Sequence, residues 1–134
     1  MKALVIAAHG SRRKETGEEV ALVAAKLAQK TGKDFDFVKH AFLQFCEPFL
    51  DDVIDRLVQK GVKQVIIFPF FIAAGSHILK DIPQLIQAAK ETHPGLDMKM
   101  TCHLGALDSV EQVILKEVAR FTGSDSSHSS ETQS

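Results

Sequence analysis

Two short segments of the sequence combine a histidine with glycine, serine or charged residues, a pattern that suits ligand binding or proton transfer. Their residues are His9, Gly10, Ser11 and Arg12 in the first segment and Gly75, Ser76 and His77 in the second. Imidazole binds borderline divalent ions such as Co²⁺, Ni²⁺ or Fe²⁺, and it accepts protons near neutral pH. The two segments therefore predict a metal or proton-transfer site, provided that the fold brings His9 and His77 together.

Ordinary structural roles explain part of both segments. Gly10 permits a sharp turn and a close approach of a ligand to the backbone, while Ser11 and Arg12 suit an anion near the start of a helix. Asp81 is interpreted as a helix N-cap and Pro83 as a first-turn residue. These roles leave the histidines unexplained.

Other chemistries find less support in the sequence. It contains no GxGxxG after the first apolar run, no GxxxxGK[ST] and no GxSxG, so nucleotide binding and a serine-hydrolase elbow are not indicated. A histidine phosphatase would carry Arg directly before the His-Gly pair, where this chain has Ala8. Cys46 is interpreted as a buried, inert thiol rather than a nucleophile.

The composition is that of a globular protein. The 134 residues include 16 Lys+Arg and 17 Asp+Glu, and the net charge of −1 argues against a general nucleic-acid or membrane-surface binder. No apolar run approaches the roughly 20 residues of a membrane span, and the N-terminus lacks the features of a signal peptide. Cys46 and Cys102 form no CxxC pair, so the cytoplasm is the expected compartment.

Apolar runs and helical periodicity alternate four times along the chain. Strands are predicted over residues 2–8, 35–43, 62–71 and 96–102, and helices over 16–30, from 48, from about 81 and from 108. The last helix is expected to bury five side chains: Val110, Val113, Ile114, Val118 and Phe121. Residues 1–121 should form one domain, and the serine-rich residues 122–134 a disordered tail.

This alternation predicts an α/β fold with a single flavodoxin-like domain. Short connections and right-handed crossovers give a four-stranded parallel sheet with helices on both faces. Because the first and third strands are the most apolar, they should be central, which gives the strand order 2-1-3-4. Ligands then bind between these two strands, beyond their carboxyl ends. His9 follows the first strand and His77 is expected in the loop after the third, so both should flank that crevice.

On these residues the sequence resembles the class II tetrapyrrole chelatases, in particular the short sirohydrochlorin chelatases of the CbiX type. The resemblance covers residues 1 to about 121, and its motifs are His9-Gly10-Ser11-Arg12, the segment from Phe42-Leu43 to Glu47-Pro48, and His77-x-x-x-Asp81-Ile82-Pro83. It implies that His9 and His77 bind the metal and assist proton removal from the macrocycle.

The resemblance also implies partners. The activity that it implies is the insertion of cobalt into sirohydrochlorin in cobalamin synthesis, with nickel or iron as alternative metals. Because the divalent metal is a substrate of this reaction, no permanent cofactor is required. Long family members contain two such halves, which implies a homodimer for this chain. Five residues are candidates for contacts to the macrocycle: Ser11, Arg12, Gln44, Gly75 and Ser76.

One position departs from the family pattern. Many relatives have Glu directly after the Phe-Leu pair of the second strand, whereas this chain has Gln44. Glu47 either supplies the missing metal-site carboxylate or simply favours the N-terminus of the next helix. A non-catalytic metal or tetrapyrrole carrier on the same fold would use the same histidines for affinity alone.

Overall fold

The structure, a computed structural model, describes residues 1–73 and 75–122, and for residues 76–78 it describes the backbone without the side chains. The four strands are β1 (Lys2–Ala8), β2 (Phe37–Phe42), β3 (Gln64–Pro69) and β4 (Asp97–Met100). The four helices are α1 (Lys14–Thr31), α2 (Leu50–Gln59), α3 (Ser76–Thr92) and α4 (Ser109–Ala119), with a short 3-10 helix at Leu104–Ala106. The predicted alternation of strands and helices is confirmed.

The four strands form one parallel sheet in the order β2-β1-β3-β4, as predicted. β1 and β3 lie in the centre because their side chains are apolar on both faces, so each face can be covered. Ala3, Val5 and Val65 are completely buried on one of those faces. Since all strands run in the same direction, the loops that follow them emerge together at the carboxyl edge of the sheet.

Two apolar clusters hold the helices to the sheet. On one face, Leu50 and Ile54 of α2 and Ile82 of α3 belong to the larger cluster, together with buried side chains of β1 and β3. On the other face, Val20 and Ala24 of α1 join a smaller cluster around Ile6 and Phe42. Helices therefore lie on both faces of the sheet, and on the second face α1 lies over β2 and β1.

The start of α3 differs from the prediction. The helix begins at Ser76, and Gly75 is the extended N-cap residue with φ −74° and ψ 165°. Asp81 is consequently within the helix rather than its cap, and Pro83 is an interior residue. The sequence signals misled because Asp and Pro favour helix starts, whereas Pro83 removes one backbone donor without ending this helix.

The position of α4 is the larger departure from expectation. None of its residues is buried, and Val113, Ile114, Val118 and Phe121 are exposed instead of packed inward. Asp108 precedes the helix in a helical conformation, and its side chain makes no capping hydrogen bond. Periodicity identified the apolar face correctly, but it could not show that this chain leaves that face uncovered.

Within residues 1–73 and 75–122, no helix has the combination of length and apolar character needed to cross a bilayer. The predicted tail begins at Thr122, and its remaining residues, 123–134, lie outside the described part of the chain.

Candidate functional site at the carboxyl edge

His9 and His77 follow neighbouring strands at the carboxyl edge. His9 comes directly after β1, and His77 is the second residue of α3, the helix that follows β3. Because β1 and β3 pair in parallel, both backbone positions lie beyond the same ends of the two central strands. His77 is therefore in the first turn of a helix, not in a loop as expected.

The turn after β1 is tied to the segment that follows β2. The Leu43 amide donates to the Ala8 carbonyl at 3.0 Å, and the Gln44 amide donates to the His9 carbonyl at 3.2 Å. Gly10 has a φ of 107°, and a Cβ atom there would lie 1.8 Å from the Gln44 carbonyl oxygen. Only glycine fits this position, so Gly10 allows the two segments to approach and fixes His9 beside Gln44.

The His9 ring has two neighbours on that segment. The Gln44 side-chain nitrogen Nε2 lies 3.3 Å from His9 Nδ1. The Phe45 ring is nearly parallel to the imidazole, at 18°, with the ring centroids 6.4 Å apart. The Arg12 guanidinium lies 4.8 Å from the centroid of the same Phe45 ring, within cation–π distance. Phe45 thus links a cation and an imidazole at the carboxyl edge.

The Gln44 contact decides which nitrogen of His9 holds the proton. An amide nitrogen donates, so in this arrangement His9 Nδ1 accepts and the neutral ring has its proton on Nε2. Rotation of the amide by a half-turn would present its oxygen, which accepts from Nδ1–H and leaves the lone pair of Nε2 free. Metal binding or proton uptake at Nε2 requires this second arrangement.

The other residues predicted to belong to the site have different surroundings from His9. Ser11 Oγ accepts a hydrogen bond from the Arg13 amide at 3.0 Å, a local turn contact. Glu47 is exposed and lines a cleft of about 420 Å³ with Ser11, Arg12 and His40, whereas His9 lines a different cleft with Val20, Phe42 and Phe70. Gly75 and Ser76 form the start of α3. Among the side chains that the structure describes, no three metal-ligating groups lie together.

Large apolar side chains are exposed near this edge. Phe45 in the segment after β2 is 48% exposed, Ile72 after β3 is 64% exposed, and Leu79 in the first turns of α3 is 46% exposed. Grouped exposure of large apolar residues marks surfaces that contact ligands or partners. These three side chains suit a broad, flat and partly apolar ligand better than a small polar one.

His103 also belongs to this edge, as its position after the fourth apolar run predicts. It follows β4, and its ring stacks on Phe71 at 25° with the centroids 5.7 Å apart. The Gly105 amide donates to the Phe71 carbonyl at 3.3 Å, which joins the segments after β3 and β4. This position follows from the sequence, because any residue directly after a parallel strand lies at the carboxyl edge.

The pKa of His40, a residue of β2, departs from its ordinary value. Burial lowers its pKa below the ordinary value, and the nearby Lys39 lowers the pKa further. Its ring contacts Phe42 edge-on at 5.6 Å. His40 lies within β2, so its altered pKa reflects packing in the sheet rather than a place at the carboxyl edge.

Together, the fold and this edge define an α/β protein with a candidate ligand site at a topological switch point. Comparison with known proteins specifies the family. The CbiX family matches residues 3–121, and this chain belongs to it.

Individual relatives agree with that assignment. The chain is 38% identical over 86 residues to the sirohydrochlorin cobaltochelatase of Methanococcus aeolicus, covering 64% of this chain and 59% of the relative. It is 28% identical over 118 residues to the sirohydrochlorin cobaltochelatase of Sulfurisphaera tokodaii, covering 88% of this chain and 92% of the relative. The chain thus spans about three-fifths of the first relative and almost all of the second.

Among solved structures, the chain is similar to the sirohydrochlorin chelatase SirB from Bacillus subtilis subspecies spizizenii, determined in complex with cobalt. The TM-score is 0.75 at 21% identity, over 88% of this chain and 50% of SirB. At this identity the likeness establishes the fold. It also shows that this chain corresponds in length to half of SirB.

Proposed function

We propose that this protein is a sirohydrochlorin chelatase that inserts a divalent metal into the macrocycle for cobalamin biosynthesis, and that this metal is cobalt. The observation that carries the proposal is His9, held directly after β1 by Gln44 and Phe45 at the edge where His77 also lies. The resemblance of the chain to sirohydrochlorin cobaltochelatases supplies the substrate. Nickel or iron insertion would use the same chemistry.

The reaction requires two things from the protein. The metal ion must lose water while the macrocycle loses two N–H protons, and the products are the metallated ring and two protons. Imidazole can hold a divalent ion through one nitrogen and can accept a proton when the ion has left. We assign these roles to His9 and His77, with Gln44 controlling the available nitrogen of His9. Glu47 lines a different cleft from His9, so we assign metal binding to the two histidines and not to Glu47.

The rest of the carboxyl edge would bind the macrocycle. Phe45, Ile72 and Leu79 offer exposed apolar surface to a flat ring. The ring carboxylates need cationic or N–H partners, and Arg12 provides a cation beside Phe45. The backbone amides at Gly75 and Ser76 begin α3, where the positive end of the helix dipole favours anions. Ser11 is a further polar neighbour of Arg12.

A homodimer would complete this arrangement. One chain leaves a flat ligand open on one side, and the chain corresponds to half of SirB in length. A second copy would therefore occupy the volume that the rest of a longer relative fills. We further propose that the dimer acts in the cytoplasm, where the two free thiols, Cys46 and Cys102, stay reduced.

A carrier that binds metal and macrocycle without catalysis is the competing function. Both functions are tested by mixing the protein with excess sirohydrochlorin and Co²⁺ and following the absorption of the macrocycle. A chelatase gives many turnovers above the uncatalysed rate, whereas a carrier stops when one equivalent has reacted. An end point at stoichiometry would refute the proposal.

A further inference from the structure

A cavity with positive side chains at its rim lies between the edge strand β2 and the helix α2. The volume of this β2–α2 cavity is about 170 Å³, and Lys39 of β2 lines it together with Arg56 and Lys60 of α2. Lys39 pairs with Val5 of β1, four residues before His9. At about 3.3 Å per residue, Lys39 is therefore roughly 13 Å away from the level of His9 along the strands. The β2–α2 cavity is thus separate from the candidate site at the carboxyl edge.

The three cations reach the cavity because two remote segments present them on the same side. Phe37 and Ala41 pack in the apolar cluster under α2, so Lys39, which alternates in phase with them along β2, also points to that face. Arg56 and Lys60 are four residues apart, which places both on one side of α2. The strand and the helix therefore contribute to a single positive rim.

The aromatic ring of Phe37 positions two of the three charges. Lys60 Nζ lies 5.2 Å from the centroid of this ring, and Lys39 Nζ lies 5.8 Å from the same centroid. Both distances are within the range of cation–π contacts. An aromatic face attracts an ammonium group but does not replace an oxygen acceptor, so the N–H donors of both lysines stay available to a ligand.

No carboxylate of the described residues neutralises this rim. The ion pairs within residues 1–73 and 75–122 are Lys14 with Glu18, Asp55 with His93, and Glu117 with Arg120. Asp52 lies one turn before Arg56 on α2, yet it neither lines the cavity nor pairs with Arg56. The negative end of the α2 dipole favours Arg56 and Lys60, but it does not explain why Lys39 of β2 joins them. Gathered like charges repel, and a fold retains such an arrangement mainly at functional sites.

The size and the lining of the cavity indicate which anion it takes. Pockets for whole drug-sized ligands have about 300–1,000 Å³, so this smaller cavity suits a compact anion. Val53 and Leu57 are buried and form an apolar wall, which strengthens electrostatic attraction on that side. A phosphate group has roughly −1.5 to −2 charges at pH 7 and several acceptor oxygens, whereas one carboxylate has a single charge. Arginine binds phosphate through two parallel hydrogen bonds, and lysine binds it as a point charge.

We propose that the β2–α2 cavity is a second binding site of this protein, and that it takes a small phosphate anion through Lys39, Arg56 and Lys60. The anion is either inorganic phosphate or a pyrophosphate-type group with two linked phosphates. The site is independent of metal insertion, because none of its residues belongs to the carboxyl edge.

Calorimetric titration of the full chain tests the site, in metal-free buffer at constant ionic strength. Pyrophosphate and inorganic phosphate are titrated separately, and the tighter of the two identifies the anion. Succinate, a dicarboxylate, should bind at least several-fold more weakly than the better phosphate ligand. In ¹H–¹⁵N spectra the same ligand should shift the amide signals of Lys39, Leu57 and Lys60, which locates the anion.

Three variants and one matched control test the residues. Lys39→Gln, Arg56→Gln and Lys60→Gln should each weaken binding of the better phosphate ligand by roughly tenfold, because each removes a charge-assisted hydrogen bond. Lys90→Gln is the control. It removes a charge from the last turn of α3, as Arg56→Gln does from the last turn of α2, but Lys90 does not line the cavity. This variant should bind like the wild type.

Several outcomes would overturn the site. Absence of binding of both phosphate ligands would refute it, and so would signal shifts confined to residues 10–12 and 75–76, which would place the anion at the carboxyl edge. Equal weakening by Lys90→Gln would reduce the effect to net charge. Succinate binding as tightly as the phosphates would refute the assignment of the ligand. Because the titrations contain neither metal nor macrocycle, their result is independent of the proposed chelatase function.

Discussion

The Gln44 side-chain nitrogen lies 3.3 Å from Nδ1 of His9, and this contact determines which imidazole nitrogen is free at the carboxyl edge. With the amide nitrogen facing the ring, Nδ1 accepts and Nε2 carries the proton. With the amide oxygen facing it, Nε2 has a free lone pair. A glutamine therefore permits both states, whereas a carboxylate at this position would permit only the second, since it can only accept.

Gln44→Glu should strengthen metal binding. The carboxylate would accept from Nδ1–H, orient the ring and make Nε2 a better ligand, an effect worth roughly tenfold in affinity. Gln44→Leu, which cannot hydrogen-bond, should bind more weakly than the wild type. Calorimetric titration with Co²⁺ measures all three proteins. Equal affinities for the Glu and Leu variants would show that Gln44 does not control His9.

His9→Ala and His77→Ala should each reduce the initial rate of metallation by roughly a hundredfold or more, because each removes a ligand or a proton acceptor. If the two histidines act as a unit, the double variant should be little slower than either single variant. Initial rates are read from the absorption of the macrocycle, with circular dichroism confirming the fold. Near wild-type rates for both single variants would refute the site.

His93→Ala is the control for these two variants. His93 lies at the end of α3, and its Nε2 is 3.0 Å from Asp55 Oδ1 of α2. The metallation rate should be unchanged, whereas the free energy of unfolding should fall by about 0.5–1 kcal/mol, because the substitution removes one partly exposed hydrogen bond. A large loss of activity in this variant would indicate that the assay reports stability rather than chemistry.

Gly10→Ala should be more harmful than the same change at Gly32. Both glycines have a positive φ, 107° and 58°, but a Cβ atom at Gly32 would have no neighbour within 4 Å, whereas at Gly10 it would overlap the Gln44 carbonyl. Backbone strain costs about 1–3 kcal/mol at each position, and the overlap adds about 1–3 kcal/mol at Gly10. Urea unfolding of the two variants measures the difference, and equal losses would contradict the close approach.

Acidic pH should destabilise the protein partly through His40. Burial, and then Lys39, lower its pKa in the folded state, so below the ordinary value of 6.5 the unfolded chain binds more protons than the folded one. The free energy of unfolding should therefore decrease as the pH falls below 6.5. His40→Gln should flatten this decrease in urea titrations between pH 7.5 and about 5. An unchanged slope would assign the pH dependence to other groups.

Most of the fold could be read from the sequence because local patterns determine it. The continuous apolar runs of β1 and β3 identify them as central strands, and the mixed faces of β2 and β4 place these at the edges. Parallel connectivity then puts His9 and His77 beyond adjacent strand ends. The family motifs, which lie in these same segments, agree with the match of the CbiX family to residues 3–121.

The sequence by itself determined the element order, the central strands and the edge at which the histidines lie, since each follows from side-chain periodicity along a continuous stretch. Tertiary structure alone decided the contact of Gln44 with His9, the start of α3 at Ser76, and the exposure of α4. These features depend on distances between segments that are remote in the chain. Periodicity shows that α4 has an apolar face, but only the packed structure shows that its own sheet leaves that face uncovered.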